Sequence, residues 1–196
     1  MTVVYMGKLI AFFSVVFCMP LLLFGALIVL ITLGRPIFFQ QERLGQGGEK
    51  FHLIKFRSMK GGDKVVISEA DYLERTTKLT RLLRTFKLDE LPQLFNVLNG
   101  DINFFGPRPL SYDYYKHPLP KYKAMRLSVK PGILGLSQVL GLDHTEARRR
   151  LAGDILYVKK SSAMLRLQIF IMLFWRFIKP ISDNPTDDLY MRRQEK

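Results

Sequence analysis

The chain has one cysteine, Cys18, which excludes an internal disulfide, and three histidines, His52, His117 and His144, scattered without metal-ligand spacing. A structural zinc site is therefore not expected. Acidic residues are also scarce: Asp and Glu number 17 against 30 Lys and Arg, a formal net charge of +13. Such an excess calls for an anionic partner, whether nucleic acid, an anionic membrane surface or a phosphorylated substrate, and charge alone does not choose among them. There is no internal repeat and no stretch with the bias of a long disordered tail. Most telling is the lack of any charged residue from Leu9 to Leu33, a run bounded by Lys8 and Arg35.

That run exceeds the roughly 20 apolar residues needed to cross a bilayer. It is too long for a signal peptide's apolar core, and no Ala-x-Ala-like site closes it. Pro20 lies near its middle and removes one backbone donor, so the segment must bend or break there. Two geometries follow. One is a kinked helix that spans the membrane once. The other is a pair of half-helices of about 11–14 residues, each reaching about 15–20 Å, which enter one leaflet and return. The residues alone favour the single span, because re-entrant backbone needs hydrogen-bond partners in lipid.

The remainder suffices for one domain with a real core, over residues 36–180, followed by a polar tail over 181–196. Ile37–Gly45 and Phe51–Met59 are β-like runs separated by Gly45, Gly47 and Gly48, which reads as a hairpin. Lys55 and Arg57 alternate with Ile54, Phe56 and Ser58 and project from one face of the second strand, either as a solvated edge or as an anion-binding pair. Residues 60–71 form a polar loop. From Tyr72 to Lys87, Leu79, Leu82, Leu83 and Phe86 keep helical spacing while Lys78, Arg81, Arg84 and Lys87 recur every three residues, giving one amphipathic basic helix. Arg84 is the cation of that stripe expected near the carboxylates that follow.

Those carboxylates, Asp89 and Glu90, open the stretch around which the chain is organised. Asp89 stands between the basic helix and a second apolar segment carrying Pro92, so a helix break and an N-cap at Asp89 are the local expectation. Read that way, Asp89 is an ordinary cap beside a solvated Glu90. A carboxylate at this position can equally serve as a nucleophile or metal ligand.

Farther on, Tyr112–Arg126 is aromatic and basic, with Pro118 and Pro120 preventing one long helix, and suits a membrane interface as well as a nucleic acid. Pro131–Val139 reads as a turn followed by a short strand or loop. A helix from about Thr145 carries Arg148, Arg149 and Arg150 and leads to Asp154. Residues 163–178 are apolar but interrupted by Arg166, Gln168 and Arg176, which fits an interfacial or core helix carrying Trp175 rather than a span.

The run Leu88–Leu98, then Gly100-Asp101 and Gly106-Pro107-Arg108-Pro109, resembles the hallmark of the bacterial sugar transferase family, the monotopic phosphoglycosyl transferases. Lys55-Phe56-Arg57-Ser58-Met59 upstream and Pro131-Gly132-Ile133-Leu134-Gly135 downstream match in order and distance, and the likeness extends from the apolar N-terminus to about Lys179 in the family's minimal form. The resemblance implies a mixed α/β, mainly helical, monotopic membrane protein with a re-entrant helix broken at Pro20, a small β-hairpin and amphipathic interfacial helices. Met19 stands where the family often has Ser, and Gly141-Leu142-Asp143 where it has a Gly-Arg-Asn-like element.

By the same resemblance, Asp89 attacks the sugar-linked phosphate of a UDP-sugar and expels UMP, and polyprenyl phosphate then takes the phosphosugar. Glu90 assists as acid, base or metal ligand, with Mg²⁺ held by Asp89 and Glu90. Arg108, Arg84, Lys55 and Arg57 hold phosphates, and Asp154 orders basic groups. The implied partners are the UDP-sugar, the polyprenyl phosphate and the lipid bilayer at the cytoplasmic face of the bacterial inner membrane, with a second copy of the chain or downstream glycosyltransferases as protein partners. No nucleic acid is expected; a membrane-tethered nucleic-acid-binding protein is the competing class, motivated by the basic excess.

Overall fold

The computed structural model describes residues 2–62, 67–111, 120–142 and 147–178. The aromatic run 112–118, the residues from Asp143 through Thr145 and the tail 181–196 lie outside them. Among the described residues helices dominate, with one three-stranded and one two-stranded sheet. The chain divides into two compact units, Met1–Gln41 with His52–Gly100, and Glu42–Phe51 with Asp101–Lys196.

The first unit begins with α1 (Thr2–Phe17) and α2 (Met19–Leu33). Pro20 has no N–H to offer the carbonyl four residues back, and the pair is bent by 62° at Cys18. Among the described residues, no single helix is long and apolar enough to cross a membrane; the bent pair together meets the length and composition of a broken span or a re-entrant loop. Leu9, Phe13, Phe17, Leu23 and Ile31 are exposed, an apolar surface with no protein cover. β1 (Phe38–Leu44) and β2 (Lys50–Phe56) form the expected hairpin, whose turn through Gln46–Gly48 needs glycine at Gly47 and Gly48, both with positive φ. In the first unit, Phe56 stacks on Phe38 with ring centroids 5.5 Å apart and fills the space beside Gly25, where a Cβ would lie 2.7 Å from its ring.

The single helix expected over Tyr72–Lys87 is two. α3 (Glu69–Arg75) ends at Thr76, and Thr77 caps α4 (Lys78–Thr85) by accepting the Thr80 N–H, while Thr80 Oγ1 accepts the Thr77 N–H. This reciprocal cap satisfies α4's first donors and so competes successfully with helix continuation. On α4, Thr80 and Leu83 face inward, while Leu79 and Leu82, and Phe86 just after the helix, are left exposed. α5 (Gln93–Asn99) packs against α1, and α2 packs against α4 and the turn preceding α5.

In the second unit, β4 (Leu110–Ser111) pairs antiparallel with β1, so that β1 lies between β2 and β4. β3 (Asn103–Phe105) pairs in parallel with β5 (Gly132–Leu134). The two chains approach so closely that a Cβ on Gly132 would fall 2.2 Å from the Gly106 nitrogen, so only glycine fits. α6 is Pro120–Leu127. The Pro131–Val139 segment forms β5 and then a short helix, α7 (Leu136–Val139), with Gln138 Oε1 accepting from the N–H of Gly135, the residue that precedes the helix. α8 (Ala147–Lys160) and α9 (Ala163–Ile178) complete the unit. Ile169 on α9 is fully buried with Leu136, Val139 and Tyr157, while Met164, Leu167, Phe170, Phe174 and Trp175 are exposed on the same helix.

Candidate active site

The site in the first unit is built on an unusual piece of backbone. Lys87 adopts the left-handed conformation, φ 56° and ψ 19°, which a residue with a long side chain enters at a cost of about 1–2 kcal/mol. The chain thereby leaves α4 and enters a 3₁₀ turn, Leu88–Glu90. Asp89 is not the N-cap of α5: Pro92 occupies that position and no side chain caps it. The expected cap fails because the Asp89 carboxylate is engaged elsewhere.

Asp89 is buried, 7% exposed, and its Oδ2 accepts the Ser58 hydroxyl at 3.3 Å. Arg84 Nη1 donates to Ser58 Oγ at 3.2 Å and stands 4.0 Å from Asp89 Oδ2, with its guanidinium carbon 5.8 Å from the centre of the Tyr72 ring. Glu90 has its own cation: Lys55 Nζ donates to Glu90 Oε1 at 3.1 Å. Burial, and then repulsion from Glu90, push the Asp89 carboxyl above the usual carboxylate range, opposed by Arg84, Lys55 and Lys87. A raised value in a buried acid beside a second acid marks Asp89 as a candidate for chemistry.

β2 is held in place by Asn96 of α5, whose side-chain amide accepts from Ile54 N at 2.9 Å and donates to the His52 carbonyl at 2.8 Å. It thus behaves as one residue of a neighbouring strand along the outer edge of β2, which carries Lys55 and leads directly to Ser58. Lys55, Arg84, Asp89 and Glu90 are accordingly brought together. Arg57 does not join them: its Nη2 donates to the carbonyls of Leu33 at 2.6 Å and Gly34 at 2.7 Å, closing the C-terminus of α2. Pro20 sits in the first turn of α2, at the bend.

Arg108 and Asp154 belong to the second unit. Arg126 Nε meets Asp154 Oδ2 at 2.6 Å, Ser137 Oγ donates to Asp154 Oδ1 at 2.7 Å, and Arg126 Nη2 donates to the backbone carbonyl of Arg108. Asp154 therefore orders a cation, Arg126, which in turn fixes the Gly106–Pro109 turn. Ser58, Asn96 and Arg126 were not singled out from sequence. Ser58 lay within the quoted Lys55–Met59 motif, but nothing in the spacing of the chain links it to Asp89, 31 residues away.

Among the described residues, no group of three His, Cys, Asp or Glu could hold a metal. The adjacent carboxylates nevertheless fit Mg²⁺, which is commonly held by one or two carboxylates with the rest of its shell filled by water and substrate phosphates. A divalent cation would also offset the repulsion from Glu90 that adds to burial in raising Asp89.

A buried carboxylate fixed through one oxygen, next to a second, cation-paired carboxylate, defines a site for nucleophilic or acid–base chemistry on an electrophile that the surrounding Lys and Arg attract. The chain matches the bacterial sugar transferase family model over residues 4–180 and belongs to that family. It is 40% identical over 164 residues to a UDP-glucose:undecaprenyl-phosphate glucose-1-phosphate transferase of Caulobacter vibrioides, covering 78% of this chain and 60% of that protein. It is 40% identical over 158 residues to the uncharacterized sugar transferase EpsL of Bacillus subtilis, covering 78% of this chain and 75% of the relative. A UDP-N-acetylgalactosamine-undecaprenyl-phosphate N-acetylgalactosaminephosphotransferase of Aeromonas hydrophila is 34% identical over 158 residues, 76% of this chain but 37% of that protein. The chain thus spans less than two thirds of the Caulobacter and Aeromonas relatives. Nothing in these likenesses supports a nucleic-acid-binding protein.

Proposed function

We propose that this protein transfers a sugar-1-phosphate from a UDP-sugar to polyprenyl phosphate and releases UMP, the first membrane step in building a bacterial glycoconjugate. The observation that carries this reading is the Asp89 carboxylate, buried in a member of this family with Oδ2 held by Ser58 and its neighbour Glu90 paired to Lys55. A carboxylate oxygen of Asp89 forms a bond to the sugar-linked phosphorus, the bridging P–O bond breaks, and UMP leaves with the electron pair. An oxygen of polyprenyl phosphate then attacks the same phosphorus, the acyl–phosphate bond breaks, and the Asp89 carboxylate returns unchanged. Lys55 and Arg84 keep positive charge beside Asp89 and Glu90 as negative phosphate arrives. Phosphate binding by Arg108 rests on the family resemblance of the Gly106–Pro109 run. Asp89 and Glu90 would hold Mg²⁺, whose charge, when bound, would offset that of the diphosphate.

The acceptor's isoprenoid chain stays in lipid, so the site must meet the membrane surface. The reading adopted is a monotopic protein on the cytoplasmic face of the inner membrane, with α1 and α2 re-entering at Pro20. Each helix measures about 22–24 Å, short of the roughly 30 Å hydrocarbon core. The 62° bend, the Arg57 clamp on the end of α2 and the exposed apolar side chains of α4 and α9 support it. The experiment is UMP release by purified protein from UDP-glucose, UDP-N-acetylgalactosamine and other UDP-hexoses, with undecaprenyl phosphate, with and without a chelator. Turnover that needs the lipid and is restored by Mg²⁺ is expected; nucleic-acid binding with a steep salt dependence and no turnover would overturn the reading. Thr2→Cys in a Cys18→Ser background should resist an impermeant thiol reagent in intact cells, whereas labelling there would establish a single span.

A further inference from the structure

Arg84 is drawn to the Asp89 oxygen through a third group, Ser58, and that group is a hydroxyl with a single proton. The Arg84 guanidinium can only donate. Since its Nη1 donates to Ser58 Oγ at 3.2 Å, the Ser58 proton is left to point at Asp89 Oδ2, 3.3 Å away. Direct contact between Arg84 and Asp89, at 4.0 Å, is longer than a hydrogen bond. Ser58 and Asp89 are each 7% exposed, so water does not readily replace either bond. Tyr72 stacks beside Arg84 and holds the guanidinium on its target. The Ser58 bond to the Asp89 carboxylate falls on Oδ2.

We propose that Ser58 is a positioning residue that ties up Asp89 Oδ2 and relays Arg84 to it, so that Oδ1 is the oxygen that attacks phosphorus. This rests on the reading of Asp89 as nucleophile. In the attack, the Oδ1 lone pair forms the bond to the sugar-linked phosphorus, and UMP leaves with the electrons of the broken P–O bond. Ser58 keeps its proton throughout. As Oδ1 becomes the ester oxygen, Oδ2 becomes the carbonyl oxygen of the acyl phosphate and continues to accept the same hydrogen bond. Arg84 on this view serves the nucleophile rather than the substrate, which departs from its expected role as a phosphate ligand.

The relay makes a quantitative demand on paired substitutions. UMP release is followed by rapid quench in the absence of lipid acceptor, with the UDP-hexose that turns over fastest in the panel above. Ser58→Ala is expected to slow the burst about 10- to 100-fold, the scale of one lost hydrogen bond to a charged group, with half-saturation unchanged within about twofold. Ser58→Thr, which keeps the hydroxyl, restores the rate to within about threefold. Arg84→Gln slows the burst similarly, and the double variant is no slower than the slower single, because residues acting as one unit are not additive. A wild-type rate in Ser58→Ala, a raised half-saturation with an unchanged limiting rate, or losses that multiply in the double variant would overturn the relay. Should Ser58→Ala not fold, Ser58→Cys, with its weak donor, is expected between alanine and wild type, and a wild-type rate there would count equally against the proposal. Adduct formation on wild-type Asp89 is measured alongside. Its absence overturns the nucleophile assignment and with it the relay, whereas its presence with an equal rate in Ser58→Ala overturns the relay alone.

Discussion

Replacing Asn96 by alanine removes the fastening between α5 and the outer edge of β2. Asn96 is 1% exposed, and its amide satisfies both the Ile54 N–H and the His52 carbonyl. Alanine leaves these two backbone groups without that partner at a buried position. Each such group costs about 1–3 kcal/mol, so Asn96→Ala should destabilise the fold by about 2–5 kcal/mol. For a chain of this size that lowers the melting temperature by about 5–15 °C. Thermal unfolding of the detergent-solubilised protein, followed by circular dichroism, measures it directly. Asn96→Asp, which keeps an acceptor but sets a carboxylate against the His52 carbonyl, should do no better than alanine. Since β2 carries Lys55 and leads to Ser58, UMP release should fall along with stability. A melting temperature within about 2 °C of wild type would refute the claim that this amide organises the strand.

The raised Asp89 carboxyl gives the metal-free protein a pH-dependent stability. Because the folded-state value lies above the unfolded one, the folded protein holds the extra proton between the two; stability of the metal-free protein therefore falls as pH rises through that window, and Asp89→Asn should abolish the fall in melts taken across it. In the second unit, Arg126→Leu strands Asp154, 4% exposed, and should cost about 3–5 kcal/mol in thermal unfolding, with Arg126→Lys recovering only part because it cannot also reach the Arg108 carbonyl from a planar fork.

Local features of this fold were legible where local physics decides. Pro20 lacks a donor, so the bend follows from the sequence; the glycines at 47 and 48 demand a turn, so the hairpin does too. The helix over 72–87 was misread because its apolar spacing continues across Thr76 and Thr77, and periodicity alone does not register a hydroxyl cap strong enough to stop it. The N-cap at Asp89 failed for the opposite reason: a local preference lost to a partner, Ser58, that folding brings from 31 residues away. Arg57 and Lys55 share a strand pattern, yet one reaches Glu90 and the other the end of α2, a divergence set by which elements pack on β2. Sequence pattern located the carboxylates and their nearest cations; the fasteners of the first unit, Ser58 and Asn96, and that of the second, Arg126, depend on contacts 26 to 44 residues apart.

The central claim is that Asp89 carries the phosphosugar. Incubating the protein with a UDP-hexose labelled in the sugar and no lipid acceptor, then digesting it and locating the label by mass spectrometry, tests this most directly. The account predicts label on the peptide containing Asp89 in the wild type, discharged on adding undecaprenyl phosphate, and none in a folded Asp89→Asn protein. Equal labelling of both proteins, or full turnover by Asp89→Asn, would contradict it.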